Sequence, residues 1–172
     1  MSPVNSLRRP DGHRAAVGGT LAESYEFAHG ELFDPLEMTT AEIEPDESGT
    51  LIGSSFMLAS ARDWARFGQL YLQRGVWRGR RIVTEAWIDY VTTPTMLSPD
   101  RRYGAGFWLN PDQAIWPDLP AGTFAAKGFQ GQIIFIIPSH KLVVVRLGAS
   151  RVASRADEFA AAVIDSLRVM SP

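Results

Sequence analysis

Gly128-Phe-Gln-Gly-Gln-Ile-Ile-Phe-Ile-Ile-Pro-Ser-His-Lys-Leu-Val-Val-Val-Arg-Leu-Gly148 is the stretch on which the fold turns. It contains two β-branched runs, Ile133 to Ile137 and Leu142 to Val145, joined by the tight connection Ser139-His140-Lys141. Such a spacing predicts an antiparallel hairpin. Neither run alternates apolar with polar, so the hairpin must be covered on both faces. Thr123 to Gly128 reads as a third strand just upstream. Before it, Tyr103, Ala105, Phe107 and Leu109 alternate with Gly104, Gly106 and Trp108. That period of two predicts a fourth strand with one bulky face and one nearly bare.

Working outward, helices flank the strands. Ser154-Arg-Ala-Asp157 predicts the cap of a final helix lined by Phe159, Val163, Leu167 and Met170, a natural cover for one sheet face. Ser60-Ala-Arg-Asp63 predicts the cap of an earlier helix carrying Trp64, Phe67, Leu70 and Tyr71, with Gly75 as its stop. Aromatics at that spacing read as core rather than as a ligand platform. Thr84 caps a brief helix through Val91. Thr20-Leu-Ala-Glu23 has capping-box spacing and starts a helix with Leu21, Tyr25, Ala28 and Leu32 on one face, ended by Asp34-Pro35. The acidic segment Thr39 to Gly53 reads as a solvated loop, since it lacks the Asp/Asn ladder of a calcium loop. Residues 1–19, rich in Pro and Gly, read as a loose leader before a domain over 20–172. Helices followed by an antiparallel meander and a closing helix make an α+β fold, an antiparallel sheet with flanking helices.

Composition narrows the chemistry. The 172 residues are 45% hydrophobic with a net charge of −2, which gives no electrostatic footprint for nucleic acid or anionic membrane. There is no cysteine, which excludes thiolate zinc sites and cysteine nucleophiles. Lysine chemistry is confined to Lys127 and Lys141. The start, Met1 to Pro10, has no apolar run behind its charges and does not read as a signal peptide; the compartment stays unknown, cytoplasmic only for the chain as written. No apolar run nears the roughly 20 residues of a membrane helix. His13, His29 and His140 show no metal-binding spacing, and no metal or cofactor is expected. Gly148-Ala-Ser150-Arg-Val152 breaks a nucleophile elbow at its last position.

Three blocks taken together resemble a known family. Gly53-Ser-Ser-Phe-Met-Leu-Ala-Ser-Ala-Arg-Asp-Trp-Ala-Arg-Phe-Gly68, Tyr103-Gly-Ala-Gly-Phe-Trp108 and Gly128-Phe-Gln-Gly-Gln132 with its following hairpin are similar to the serine β-lactamase-related family. This is the class C β-lactamase, DD-peptidase and esterase group, and the likeness is nearest to its 6-aminohexanoate-dimer hydrolase branch. Leu32-Phe-Asp-Pro-Leu-Glu-Met38 fits as well, with Glu37 where the family commonly has glycine. The resemblance covers about residues 20 to 170. It implies the C-terminal portion of a β-lactamase/transpeptidase-like fold whose parent hydrolyses amide or ester bonds through an acyl-enzyme.

In that family the acylated serine stands in Ser-x-x-Lys, with the lysine one helical turn on to accept the hydroxyl proton, and a Tyr-x-Asn motif follows. Neither motif occurs here: Phe124 and Pro138 stand three places before the two lysines, and neither Asn5 nor Asn110 follows a tyrosine by two. The resemblance therefore implies a C-terminal fragment without its nucleophile, and the alternative is a non-catalytic binding module that retains the substrate-cleft strand. What remains is the family's third element, a cleft strand whose glycine admits substrate and whose next N–H completes the oxyanion hole. Its counterpart here is Ala126-Lys127-Gly128-Phe129-Gln130-Gly131. By resemblance Gly128 takes the glycine's part and Phe129 the N–H's, with Tyr103 and Trp108 beside them. Lys127 stands one place off the usual lysine, and one residue on a strand turns a side chain to the other face. It is either a cleft cation for a substrate carboxylate or an exposed strand lysine. Partners implied are a small amide or ester substrate and, through an uncovered sheet edge, a second copy of the chain.

Overall fold

The computed structural model describes residues 19–150 and 155–170. The leader (save Gly19), the cap Ser154 and the side chain of Met170 lie outside them. The chain divides into two compact units, Met1–Ala59 and Ser60–Pro172.

In the first unit, helix α1 (Leu21–Ala28) opens with the predicted capping box: Thr20 Oγ1 accepts from the Glu23 N–H, and Glu23 reaches back to the Thr20 N–H at 3.0 Å. A π-helical turn, His29–Phe33, follows directly. Its wider ring moves the buried position along by one, so Phe33, not the expected Leu32, is buried at 2% exposure. Leu36, Met38, Ala41 and Leu51 are buried with it. The expected acidic loop is in fact partly paired. Strands β1 (Glu42–Ile43) and β2 (Met57–Leu58) are antiparallel, with a further bridge between Pro45 and Leu51. The acids stay outside while Asp46 Oδ1 accepts from the Ser48 and Thr50 N–H groups to close the turn, which is why a polar stretch still pairs.

The second unit begins with α2 (Ala61–Leu72), capped by Ser60 as predicted. The hairpin β3 (Val76–Trp77) and β4 (Arg80–Arg81) turns through Arg78 and Gly79. Helix α3 (Glu85–Thr92) is capped by Thr84 Oγ1 at 3.2 Å from the Trp87 N–H. Then come β5 (Trp108–Leu109), β6 (Phe124–Lys127), β7 (Ile133–Ile137) and β8 (Leu142–Arg146), one antiparallel meander in that order. Helix α4 (Ala156–Met170) closes it.

Every residue of β7 is buried, and two helices explain how. Phe135, Ile133, Ile137 and Val144 meet Ala156, Ala160 and Ile164 of α4 in one cluster. The other face packs on α2, where Gly68 meets Val143 and Ile134. The α2 aromatics are core, as read: Phe67 lies 5.0 Å from Tyr71, Tyr71 4.6 Å from Phe107, and Phe107 5.6 Å from Phe124.

Two expectations are corrected. The buried stripe of α4 runs through Ala156, Ala160 and Ile164, with the expected Val163 packed against it, while Phe159 and Leu167 are 49% and 46% exposed. Small residues let the helix approach a sheet that already carries large side chains, and bulky ones are left outside. Of the expected 103–109 strand only Trp108–Leu109 forms one, and the residues before it make a tight turn. Tyr103 bridges Trp108, the Gly104 N–H donates to the Phe107 carbonyl at 2.8 Å, and Gly106 takes φ 97°. Alternation put Tyr103 and Trp108 on opposite faces, yet they face one another. Gly104 is fixed by backbone, because a Cβ there would lie 2.1 Å from the Val91 carbonyl oxygen.

Candidate functional site

The sequence-predicted residues gather at the C-terminal end of β6. Trp108 pairs with Ala125 across β5 and β6, and Lys127 follows Ala125 by two, so Trp108 and Lys127 share a face. Lys127 Nζ sits 5.0 Å from the centre of the Trp108 ring. The Tyr103 ring meets Trp108 edge-on at 5.3 Å. The result is an exposed platform of two aromatics with an ammonium on it, a contact worth about 0.5–1 kcal/mol at a solvated site. Ala125 belongs to the cluster under α4, so Lys127 lies on that side of the sheet. A lysine at position 126 would lie on the other.

Beyond Lys127 the strand breaks into a turn, Phe129–Gly131. Gly128 is extended, with φ −103° and ψ −176°, a conformation open to any residue. An added Cβ would come 3.3 Å from Gln132 Cβ, so a side chain there is merely tight. The Gly128 N–H closes the turn by donating to the Gln132 carbonyl at 2.8 Å. Phe129 is 79% exposed, and among the described residues its N–H meets no acceptor. An unspent backbone donor next to a strand glycine is the arrangement that can meet an oxyanion.

A cavity of about 390 Å3 opens elsewhere in this unit, lined by Tyr71, Arg74, Ile88, Arg101, Leu109 and Thr123 among others. It lies at the opposite end of β6, and none of Lys127, Gly128, Phe129, Tyr103 and Trp108 lines it. On its wall Arg74 bridges Glu85 and Asp89 at 2.7 and 2.6 Å, and these hydrogen bonds raise its guanidinium further above the usual range. Burial likewise pushes the Tyr71 phenol up, against a hydrogen bond with Trp87. Among the described residues no group of His, Asp and Glu is placed to hold a metal ion, and no helix is long and apolar enough to cross a membrane.

Sequence reasoning missed the residue that orders the loop between β5 and β6. Asn110 is fully buried, and its Oδ1 accepts from the Ile115 and Trp116 N–H groups at 3.1 and 2.9 Å. Its Nδ2 donates to the Trp116, Leu119 and Pro120 carbonyls, ordering the loop that sets Trp116 on Phe135. An asparagine directly after a strand and before a proline-rich loop was the available signal.

The sequence profile of the Beta-lactamase family matches residues 14–167, nearly the whole chain. The chain belongs to the Beta-lactamase family. Among curated relatives, a 6-aminohexanoate-dimer hydrolase of Paenarthrobacter ureafaciens is 25% identical over 120 residues, 63% of this chain and 29% of that protein. An uncharacterized protein of Alkalihalophilus pseudofirmus is 30% identical over 98 residues, 52% of this chain and 29% of its own length. The chain thus spans under a third of the curated relatives it matches. Of solved structures, a candidate 6-aminohexanoate-dimer hydrolase from Bacillus anthracis superposes with a TM-score of 0.63 at 22% identity, covering 91% of this chain and 39% of that one. A β-lactamase from Mycobacterium bovis gives 0.61 at 18% identity, covering 94% and 62%. The β-lactamase fold and the family resemblance drawn from the three sequence blocks are both upheld, and the branch nearest in sequence recurs among the relatives.

Proposed function

We propose that this chain supplies the substrate-cleft strand and oxyanion donor of a β-lactamase-like serine hydrolase acting on amide or ester bonds. The acylated serine and its lysine are then contributed by sequence other than these 172 residues. The observation that carries this reading is the backbone N–H of the exposed Phe129, which follows Gly128 at the end of β6 and meets no acceptor among the described residues. Gly128 supports it, because its backbone conformation demands no glycine, and close approach of a ligand is a reason for a strand glycine that the backbone does not require. In the parent reaction the serine oxygen attacks the carbonyl carbon, its proton passes to the lysine, and the developing alkoxide accepts from Phe129. The leaving amine or alcohol departs protonated, and water then hydrolyses the ester of the serine.

The test starts with the DNA upstream of Met1, read in all frames for a Ser-x-x-Lys. The longer chain is expected to form a fluorophosphonate adduct on that serine, and the 172-residue chain to form none. A stoichiometric serine adduct on the 172-residue chain with burst kinetics would overturn the assignment. So would a longer chain that carries the motif, folds and stays unlabelled.

A second reading, a non-catalytic binding module, draws on the Lys127–Trp108–Tyr103 platform. It offers a cation and two aromatic faces to an anionic or planar ligand without any nucleophile. Saturable quenching of Trp108 by an aromatic carboxylate, lost in Trp108→Phe, separates it from the first when no upstream motif exists.

A further inference from the structure

Across β7 from the candidate donor, Arg146 ends β8 opposite Ile133 and sends its guanidinium to the Phe129–Gly131 turn. Nη1 donates to the Gly131 carbonyl at 2.9 Å, and Nη2 donates to Ser150 Oγ at 2.6 Å. The Ser150 N–H in turn donates to the Gln130 carbonyl at 2.9 Å. Two successive carbonyls of the turn are therefore held from the β8 side. They need holding, because Gln130 and Gly131 take φ 55° and 80°, a consecutive left-handed pair of which only one is glycine. The turn's own bond, from the Gln132 N–H to the Phe129 carbonyl, is long at 3.3 Å.

The choice of donor is informative. An ionised guanidinium makes stronger hydrogen bonds than a neutral group, and it has here been given neutral acceptors. Among the described residues no carboxylate pairs with Arg146. We infer that Arg146 is a positioning residue. Through Gly131 and the Ser150 latch it fixes the direction of the Phe129 N–H and keeps a cation where negative charge would develop. Ser150, which fails as a nucleophile in the sequence, has this structural part instead. The inference rests on the reading of Phe129 as the oxyanion donor.

Hydrogen exchange followed by mass spectrometry on the dilute 172-residue chain tests the geometry without any substrate. Arg146→Ala is expected to speed exchange in residues 128–132 about tenfold while 133–137 keep their rate. Arg146→Lys, with one ammonium for two acceptors, is expected to fall between, and millimolar guanidinium is expected to restore slow exchange in Arg146→Ala alone. If Arg146→Ala loosens 133–137 as well, Ser150→Ala removes only the latch and is expected to speed 128–132 selectively. Unchanged exchange in 128–132 in a folded variant, or equal loosening of both segments in both variants, overturns the inference. In a longer chain carrying the Ser-x-x-Lys, Arg146→Ala is expected to lower kcat about tenfold with KM held within about twofold, and Arg146→Lys to recover part of it. A wild-type longer chain without activity would sink the functional reading while the exchange result still decides the part of Arg146. An active longer chain whose kcat ignores Arg146→Ala would sink the inference alone.

Discussion

Gly68 of α2 lies so near Val143 of β8 that a methyl group at position 68 would come 2.6 Å from Val143 Cγ1. The same methyl would stand 3.0 Å from Ile134 Cγ2 on β7. The helix rests on the sheet through this contact, and the glycine sets how closely. Gly68→Ala gains helix propensity but overpacks the face. The overpacking term, about 1–3 kcal/mol, exceeds the gain of about 1 kcal/mol. A urea melt is expected to show a lower midpoint for Gly68→Ala, and an unchanged or higher midpoint would show that the helix can step back freely.

Glu37 holds φ 57°, the left-handed conformation that the family's usual glycine adopts without strain. The glutamate is half-buried there and lies one residue beyond the fully buried Leu36. Glu37→Gly is therefore expected to stabilise by roughly 0.5–1 kcal/mol, the relieved strain outweighing the extra freedom of the unfolded glycine. Thermal unfolding of the two chains side by side reads the sign. A lower melting temperature for the glycine variant would mean that the Glu37 side chain contributes more than its backbone strain removes.

Tyr71 gives a pH dependence whose sign can be fixed. Its phenol is buried, and burial raises its pKa above the usual value of about 10. The unfolded chain therefore loses this proton before the folded one does. The stabilising contribution is complete below about pH 10 and is lost as pH climbs towards the folded value. Tyr71→Phe is expected to be insensitive to this loss, so the two stability curves should diverge only above pH 10. Parallel curves through that range would place the phenol in contact with water.

Much of this was legible in advance, for a physical reason. Continuous apolar runs such as Ile133 to Ile137 can only be satisfied between two layers, so the sheet and its covers followed from composition alone. Caps at Thr20, Ser60 and Thr84 are local chemistry and read equally well. Less legible were features that depend on a neighbour. Nothing in Tyr103 to Trp108 tells a strand from a turn, because its glycines serve both. The α4 stripe was misread because size, rather than hydrophobicity, decides which side faces a crowded sheet. At the site, Gly128 and Phe129 stood out by resemblance, whereas Arg146 and Ser150 lie 15 and 19 residues beyond Gly131 and meet its turn only once β7 and β8 pair.

Strand β8 has a partner on one side only among the described residues. On the reading that other sequence completes the sheet there, the 172-residue chain carries an edge of Leu142 to Arg146 with unspent backbone groups. Light scattering is expected to show a mass above that of the monomer, rising with concentration. A monodisperse monomer with one cooperative urea transition would show that the edge protects itself.

The two layers that sandwich β7 come from segments made far apart in time. Helix α2 leaves the ribosome before any strand of the meander, so one side of Ile133 to Ile137 finds its cover as soon as it emerges. The side bearing Ile133, Phe135, Ile137 and Val144 waits for Ala156, Ala160 and Ile164. Through that interval the nascent chain presents a greasy β-hairpin to the cytosol or to a translocation channel. Synthesis that stalls between Arg146 and Ala156 would release a product with half its hairpin bare, which chaperones and proteases are built to detect. The face that α4 covers is thus the one that stays bare longest during synthesis.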